Sequence, residues 1–396
     1  MKKIIIIWDS IEIGGVDTYL YNLLISKKFQ NKSITILTNH NNNAKRYLGK
    51  KLKNFKGINI LDYYSFFSIS YSSFPLRVVY FFLKPILFLF SIYNFISIFR
   101  KKSYDVIIGQ CGNYGNLRSE QAALIAASII KIPKKILVVH HECNKPTVFM
   151  GFINNLVNFY LNKILNEIVT VSYASKKSLL KKSKFLTKKK KIKVIHNGIV
   201  VKKIKRKNYL NRFFKKEKNY ISVCMLSRIN SYKGQENLIK MLAYQKKIFE
   251  KFNFFFIGSG DKKYVNKLKV FCKSKNINNI KFLGFIDISS RKILSSFDLF
   301  LSLTTDYEGF GLSIAESMSV KTPIIATRVG AVTEVIDNKT GLLISPNNNS
   351  QLILSLKKFT SHRKTFENKT SLALKKVTKK FNNDLMAKKY MKLIKS

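Results

Sequence analysis

Residues 3–24 read "KIIIIWDSIEIGGVDTYLYNLL". Four isoleucines and a tryptophan follow one another without alternation, the pattern of a parallel strand covered on both faces. A glycine pair comes next, and then apolar residues at helical spacing. This is one strand, one tight turn and one helix, the unit from which open α/β sheets are built. "SITILTN" (33–39), "YDVIIGQ" (104–110), "KILVVHH" (135–141) and "EIVTVS" (167–172) repeat the strand pattern, with helical stretches such as "SEQAALIAASII" (119–130) between them. Residues 1–200 therefore read as one βα-alternating domain.

The alternation pauses at "VKKIKRKNYLNRFFKKEK" (201–218), which reads as a basic linker. It then restarts with "YISVCMLSR" (220–228), "NFFFIGSG" (253–260), "IKFLGF" (280–285), "DLFLSLT" (298–304), "TPIIAT" (322–327) and "GLLISP" (341–346). A second domain of the same class is expected over 219–375, with a terminal helix over 376–396 packing back towards the first domain. The fold class is α/β with two Rossmann-like, doubly wound parallel sheets, and two such domains imply a central cleft. In open sheets of this kind ligands sit at the carboxyl ends of the strands.

Lys and Arg number 72 against 21 Asp and Glu in 396 residues, a formal charge of +51. Nucleic-acid binding, adhesion to an anionic membrane and simple compositional bias all fit such a balance. No nucleic-acid-binding signature accompanies the charge, so no nucleic acid is expected as partner. The four cysteines are far apart, with no CxxC pairing, which fits a reducing cytoplasm and suggests neither disulfides nor zinc. "MKKIIIIWDS" has too short an apolar run for a secretory signal.

"FPLRVVYFFLKPILFLFSIYNFISIF" (74–99) breaks the pattern. Arg77, Lys84 and Ser91 recur every seven residues, with Asn94 beside them, drawing one polar stripe on a broad apolar helix. That suits an interfacial helix at the inner face of a membrane, its polar stripe among the headgroups. The bland reading is a core helix of the first domain.

The chemistry concentrates in "EGFGLSIAE" (308–316). Gly309 and Gly311 allow a sharp turn and a close backbone approach to ligand. A helix starting near Leu312 or Ser313 would direct free N–H groups at an anion such as a diphosphate. Glu308 and Glu316 flank that turn, and carboxylates there suit hydroxyls further along the same ligand. Upstream, in "SRINSYKG" (227–234), Arg228 ends a strand and Lys233 precedes a helix, a bidentate donor and a point charge for the same anion.

Taken in order, "SRINSYKG", "FIGSGD", "FLGF", "EGFGLSIAE" and "VGAVTEVI" resemble the second domain of retaining GT-B glycosyltransferases of the E-x7-E type (family 4, group 1). "GGVDTYLYNLL" and "VIHNGI" (194–199) resemble that family's first domain and its end. The resemblance implies a nucleotide-diphosphate sugar donor and a glycan acceptor, lipid-linked in the setting of cell-surface polysaccharide or lipopolysaccharide synthesis. It also implies transfer with retention and no required metal or other cofactor. Glu316 would hold the ribose and Glu308 the donor sugar. Arg228, Lys233 and the amides of Leu312, Ser313 and Gly15 would bind the diphosphate, and the backbone at Ile286 the base. A histidine after "KILVV" would stand near the leaving group. His140 and His141 both follow that strand, successive residues face opposite ways, and His141 is preferred. "VGAVTEVI" lacks the family's second glycine and its proline. The alternatives are a basic nucleic-acid- or membrane-binding protein without transferase activity, and another GT-B activity on sugar nucleotides.

Overall fold

The computed structural model describes residues 2–10, 13–30, 32–40, 43–67, 74–144, 148–183, 192–205 and 207–396. The chain forms two compact units, Met1–Gly198 with Asn383–Ser396, and Ile199–Asn382.

Unit 1 carries a seven-stranded parallel sheet of β1 (Lys3–Trp8), β2 (Ser33–Asn39), β3 (Ile58–Tyr63), β4 (Val106–Cys111), β5 (Lys134–Val139), β6 (Glu167–Thr170) and β7 (Ile192–Val194), in the order β3-β2-β1-β4-β5-β6-β7. The isoleucine run forms β1, paired on both sides, and Ile4 to Ile7 are essentially without solvent exposure. Two strands escape a pattern reading. β3 is an edge strand whose side chains are mostly in contact with solvent, and β7 has three residues. Neither presents a long apolar run.

Helices α1 (Gly15–Leu24) and α2 (Asn43–Leu52) connect the strands on one side of β1. The chain then reverses direction across the sheet through α3 (Phe74–Arg100), α4 (Ser119–Ile129) and α5 (Val148–Ile164). Right-handed crossovers put these three on the opposite face, where α3 and α5 both pack against α4. Helix α6 (Tyr173–Lys182) completes the unit, with α14 (Asn383–Lys395) returning to pack on α1.

Residues 74–100 form one helix despite Pro85. Its expected polar stripe is turned the other way. Ser91 is 5% exposed and donates to the Leu87 carbonyl. Lys84 is partly buried, and that burial lowers its ammonium pKa. The polar stripe faces the protein, and the broad apolar face is outside. The Arg77 side chain lies outside the described residues.

Unit 2 has a six-stranded parallel sheet of β8 (Ile221–Leu226), β9 (Phe252–Ile257), β10 (Ile280–Gly284), β11 (Leu299–Ser302), β12 (Ile324–Thr327) and β13 (Leu342–Ile344), in the order β10-β9-β8-β11-β12-β13. Helices α7 (Gln235–Tyr244), α8 (Lys262–Ser274), α9 (Ser290–Ser295), α10 (Leu312–Ser319), α11 (Val332–Val335), α12 (Asn349–Ser361) and α13 (Arg363–Lys380) complete it.

Two expectations about boundaries need correction. The basic stretch 201–218 is not a free linker but a strap on unit 2. Leu210 is fully buried, the Phe214 ring lies 4.2 Å from that of Phe255 and 5.3 Å from that of Phe297, and the Tyr209 N–H donates to Ser296 Oγ at 3.0 Å. Burying those two side chains contributes about 3–6 kcal/mol, while Arg212 between them and Lys215 after them stay in water. Arg206 lies outside the described residues. The segment 376–396 is likewise not one helix: α13 ends at Lys380 in unit 2, and α14 begins at Asn383 in unit 1.

Candidate functional site

The strand order of unit 2 reverses between β8 and β11, so the loops leaving their carboxyl ends part in opposite directions and open a crevice. The β8 loop carries Arg228 and Lys233, and the β11 loop carries Glu308. The two loops are tied together, since the Thr305 N–H donates to the Tyr232 carbonyl at 2.8 Å. Buried Gln235 braces the β8 loop from inside, its Nε2 donating to Ser227 Oγ and to the Arg228 carbonyl, both at 3.0 Å.

Lys233 and Glu308, 75 positions apart, meet at this crevice. Lys233 Nζ lies 2.7 Å from Glu308 Oε2 and 3.5 Å from Thr304 Oγ1. Their side chains are 15% and 19% exposed. The Tyr232 ring centroid is 5.3 Å from the ammonium. The main chain at Glu308 is held by the "VGA" turn: the Ala331 N–H donates to the Glu308 carbonyl at 2.8 Å. Gly330 has φ +52°, and a Cβ there would come within 2.2 Å of that carbonyl. A glycine is required at this point, and the missing second glycine of the family pattern does not disturb it.

Gly311, at φ +88°, caps α10. Leu312 and Ser313 are its first two residues, so their N–H groups have no partner within the helix. Glu316 is the fifth helical residue, just beyond the first turn. It is 6% exposed and turned towards α9, where Ser290 Oγ donates to its Oε1 at 2.5 Å. Arg291 is next to it. Burial lowers the guanidinium pKa, and the charge of Glu316 opposes that. Arg291 Nε also donates to Ser319 Oγ at 3.0 Å.

Ile286 is buried just past β10, and its carbonyl accepts the Ile288 N–H at 2.8 Å. β10 stands two places from β8, about 10 Å at the usual strand spacing. Glu316, reaching towards α9, falls on the Ile286 side of the Lys233–Glu308 pair. Arg228 lies on the same loop as Lys233 but is exposed.

In unit 1, Gly15 is the first residue of α1, after an extended Gly14. Asp17 holds this turn, accepting Trp8 Nε1–H at 2.8 Å and the Gly14 N–H at 2.7 Å. Burial pushes its carboxyl up to about 6. His140 is buried, with Nε2 2.7 Å from Gln110 Oε1 and its ring edge-on to Tyr19 at 4.6 Å. Burial depresses its pKa to about 3, so it is neutral. His141 is half-buried beyond the end of β5.

Sequence reasoning missed Ser290, Arg291 and Thr304, which touch or flank the two glutamates. It also missed Asp9, whose carboxylate at the end of β1 accepts the hydroxyls of Ser65 and Ser119 at 2.5 and 2.6 Å. Only Asp9 had a visible signal, as the acid directly after a buried parallel strand.

A six-stranded and a seven-stranded Rossmann-like sheet, the first with a basic–acidic pair at its switch point, define the GT-B fold. Residues 206–380 match the family described as glycosyl transferases group 1. An uncharacterized glycosyltransferase of Methanocaldococcus jannaschii is 26% identical over 264 residues, 64% of this chain and 65% of that protein. The poly(ribitol-phosphate) α-N-acetylglucosaminyltransferase of Staphylococcus aureus is 27% identical over 43% of this chain and 34% of its own length. The chain thus spans under two thirds of the length of these curated relatives. Among solved structures, Anabaena HepE in complex with UDP and glucose superposes with a TM-score of 0.74, at 18% identity and over 100% of both chains.

Proposed function

We propose that this chain transfers a sugar from a nucleotide-diphosphate donor to a glycan acceptor, with retention of anomeric configuration and no metal. The observation that carries the reading is the Lys233–Glu308 pair at the switch point of the unit 2 sheet, beside the amino end of α10. A diphosphate entering there meets an ammonium and the N–H groups of Leu312 and Ser313. These donors stand where charge develops as the nucleotide leaves, so they lower the barrier more than they strengthen ground-state binding. When the phosphate takes over Lys233, Glu308 is released to accept a hydroxyl of the donor sugar. Glu316, positioned by Ser290, would hold the ribose, and the base lies towards Ile286. Arg228 closes over the phosphates from its exposed position.

Retention through a double displacement would need an enzyme nucleophile. Glu308, engaged with Lys233, is placed for hydroxyl contact instead. The preferred course is front-face: the bond from the anomeric carbon to the phosphate oxygen breaks, the acceptor oxygen attacks the same face, and its proton passes to the departing phosphate.

A lipid-linked acceptor at the inner face of a membrane, in cell-surface glycan assembly, is the setting that the apolar α3 and the +51 charge support. Anabaena HepE was solved with UDP, so a UDP-sugar is the first donor to try. The test is a titration of UDP-, GDP- and ADP-sugars against the protein, then product analysis by NMR with and without a chelator. Absence of binding to every sugar nucleotide overturns the reading, and an inverted product or loss of activity on chelation overturns its mechanistic part.

A further inference from the structure

Two helices of unit 1 are polar inside and apolar outside. In α5, Asn154, Asn158 and Asn162 recur at every fourth position and are 2%, 5% and 9% exposed. Asn158 Oδ1 accepts the Tyr114 hydroxyl, and Asn154 Nδ2 donates to the Met150 carbonyl at 2.8 Å. On the other side of the same helix Phe152, Leu156 and Phe159 are 72%, 54% and 51% exposed. In α3, Lys84 and Ser91 turn inward while Phe82, Ile86 and Phe90 are 58%, 51% and 60% exposed. A helix on a water-facing surface has the reverse arrangement.

Both helices lie on the same side of the sheet and flank α4, which is buried from Ser119 to Ala127. Neither helix contains an Asp or Glu. Each ends in cations: Arg100, Lys101 and Lys102 are exposed after α3. Lys163, near the end of α5, extends over the Phe159 ring with Nζ 4.4 Å from its centroid. A long cationic side chain lying over an apolar face and reaching past it is the geometry of snorkelling.

We propose that α3 and α5 together are a two-helix docking surface for an anionic lipid bilayer, both lying in its plane. Their outer faces sink about 5–10 Å, to the boundary of headgroups and acyl chains. Val78–Arg100 is long and apolar enough to cross a membrane. It lies flat instead, because Phe88, Phe95 and Phe99 on its inner side are core residues of unit 1. The inference deepens the lipid-linked reading of the acceptor and assigns its membrane contact to a second helix.

The chain's one tryptophan, Trp8, is 7% exposed, so an introduced tryptophan can be followed separately. Phe90→Trp and Phe152→Trp are mixed with phosphatidylglycerol–phosphatidylcholine vesicles containing acyl-brominated lipid. Both are expected to be quenched, with wild-type emission unchanged. Phe152→Ser with Phe159→Ser should reduce partition into these vesicles about tenfold or more, with UDP affinity in solution as in wild type. Quenching at neither position overturns the proposal, and quenching at Phe90→Trp alone overturns the part of α5. A vesicle-free dimer dispersed by the α5 serines overturns it in favour of a second copy as occupant. Quenching at both positions without any sugar-nucleotide binding would refute the transferase reading and leave this one standing.

Discussion

Replacing Glu308 by Gln should strengthen the binding of bare UDP while slowing sugar transfer. In the unliganded site the Lys233 ammonium is held by Glu308 at 2.7 Å, with more than four fifths of each side chain out of solvent. A phosphate must displace that carboxylate. An exposed ion pair is worth about 0.2–1 kcal/mol, and a hydrogen bond to a charged group about 1.5–3 kcal/mol. Gln keeps an acceptor oxygen but loses the charge, so about 1 kcal/mol of competition disappears, roughly a fivefold gain in UDP affinity. Turnover moves the other way, by about 10- to 100-fold, because the sugar hydroxyl loses a charged acceptor. Lys233→Met is the counter-experiment. It should weaken UDP binding and lower kcat by about 10²–10³-fold, the usual effect of removing one donor to developing charge. Calorimetric titration with UDP and steady-state kinetics with the donor read the two signs separately. If both variants weaken UDP binding alike, or if Lys233→Met leaves kcat near wild type, the displacement argument is wrong.

Ser290→Ala should raise the Kd for the nucleotide about three- to tenfold and leave kcat at saturation unchanged, since Ser290 orients only Glu316; a fall in kcat at constant Kd would contradict this. Gly330→Ala should destabilise the protein by about 2 kcal/mol or more, because its Cβ meets the Glu308 carbonyl and φ is positive, and an unchanged urea midpoint would refute it. Between about 4 and 6 two buried groups should oppose each other in the pH dependence of stability. Buried His140 stays neutral while the unfolded chain gains a proton below 6.5, so its contribution is lost as pH falls towards 3. Asp17, raised by burial to about 6, protonates first in the folded chain, so its contribution is lost as pH rises through that window. Asp17→Asn should therefore unmask a slope of up to about 1.4 kcal/mol per pH unit, stability falling with acid. A denaturation series showing the same slope as wild type would count against it.

The periodicities that could be read were those tied to burial on both faces. β1 is a continuous apolar run, and β8 and β9 nearly so, because helices cover both sides, and α10 announces itself by Gly311. Edge strands β3 and β7 carry no such mark, and the lysine-rich composition hides Leu210 and Phe214, which make the strap of unit 2. The sequence put Lys233 and Glu308 at one site with separate roles, and their ion pair came from the structure. The Ser290–Glu316 contact could not be anticipated, because no local period links positions 26 apart.

By itself, then, the sequence determined the alternation of strands and helices, the glycine turns and which side chains stand at the carboxyl ends of the strands, all properties of local periodicity. The tertiary structure decided orientation. Spacing shows that Lys84 and Ser91, or Asn154, Asn158 and Asn162, share a helix face, but not whether that face meets the core or the surroundings. That choice depends on which neighbours a helix packs against, here buried α4, and on the handedness of the crossovers that bring α3 and α5 to its two sides.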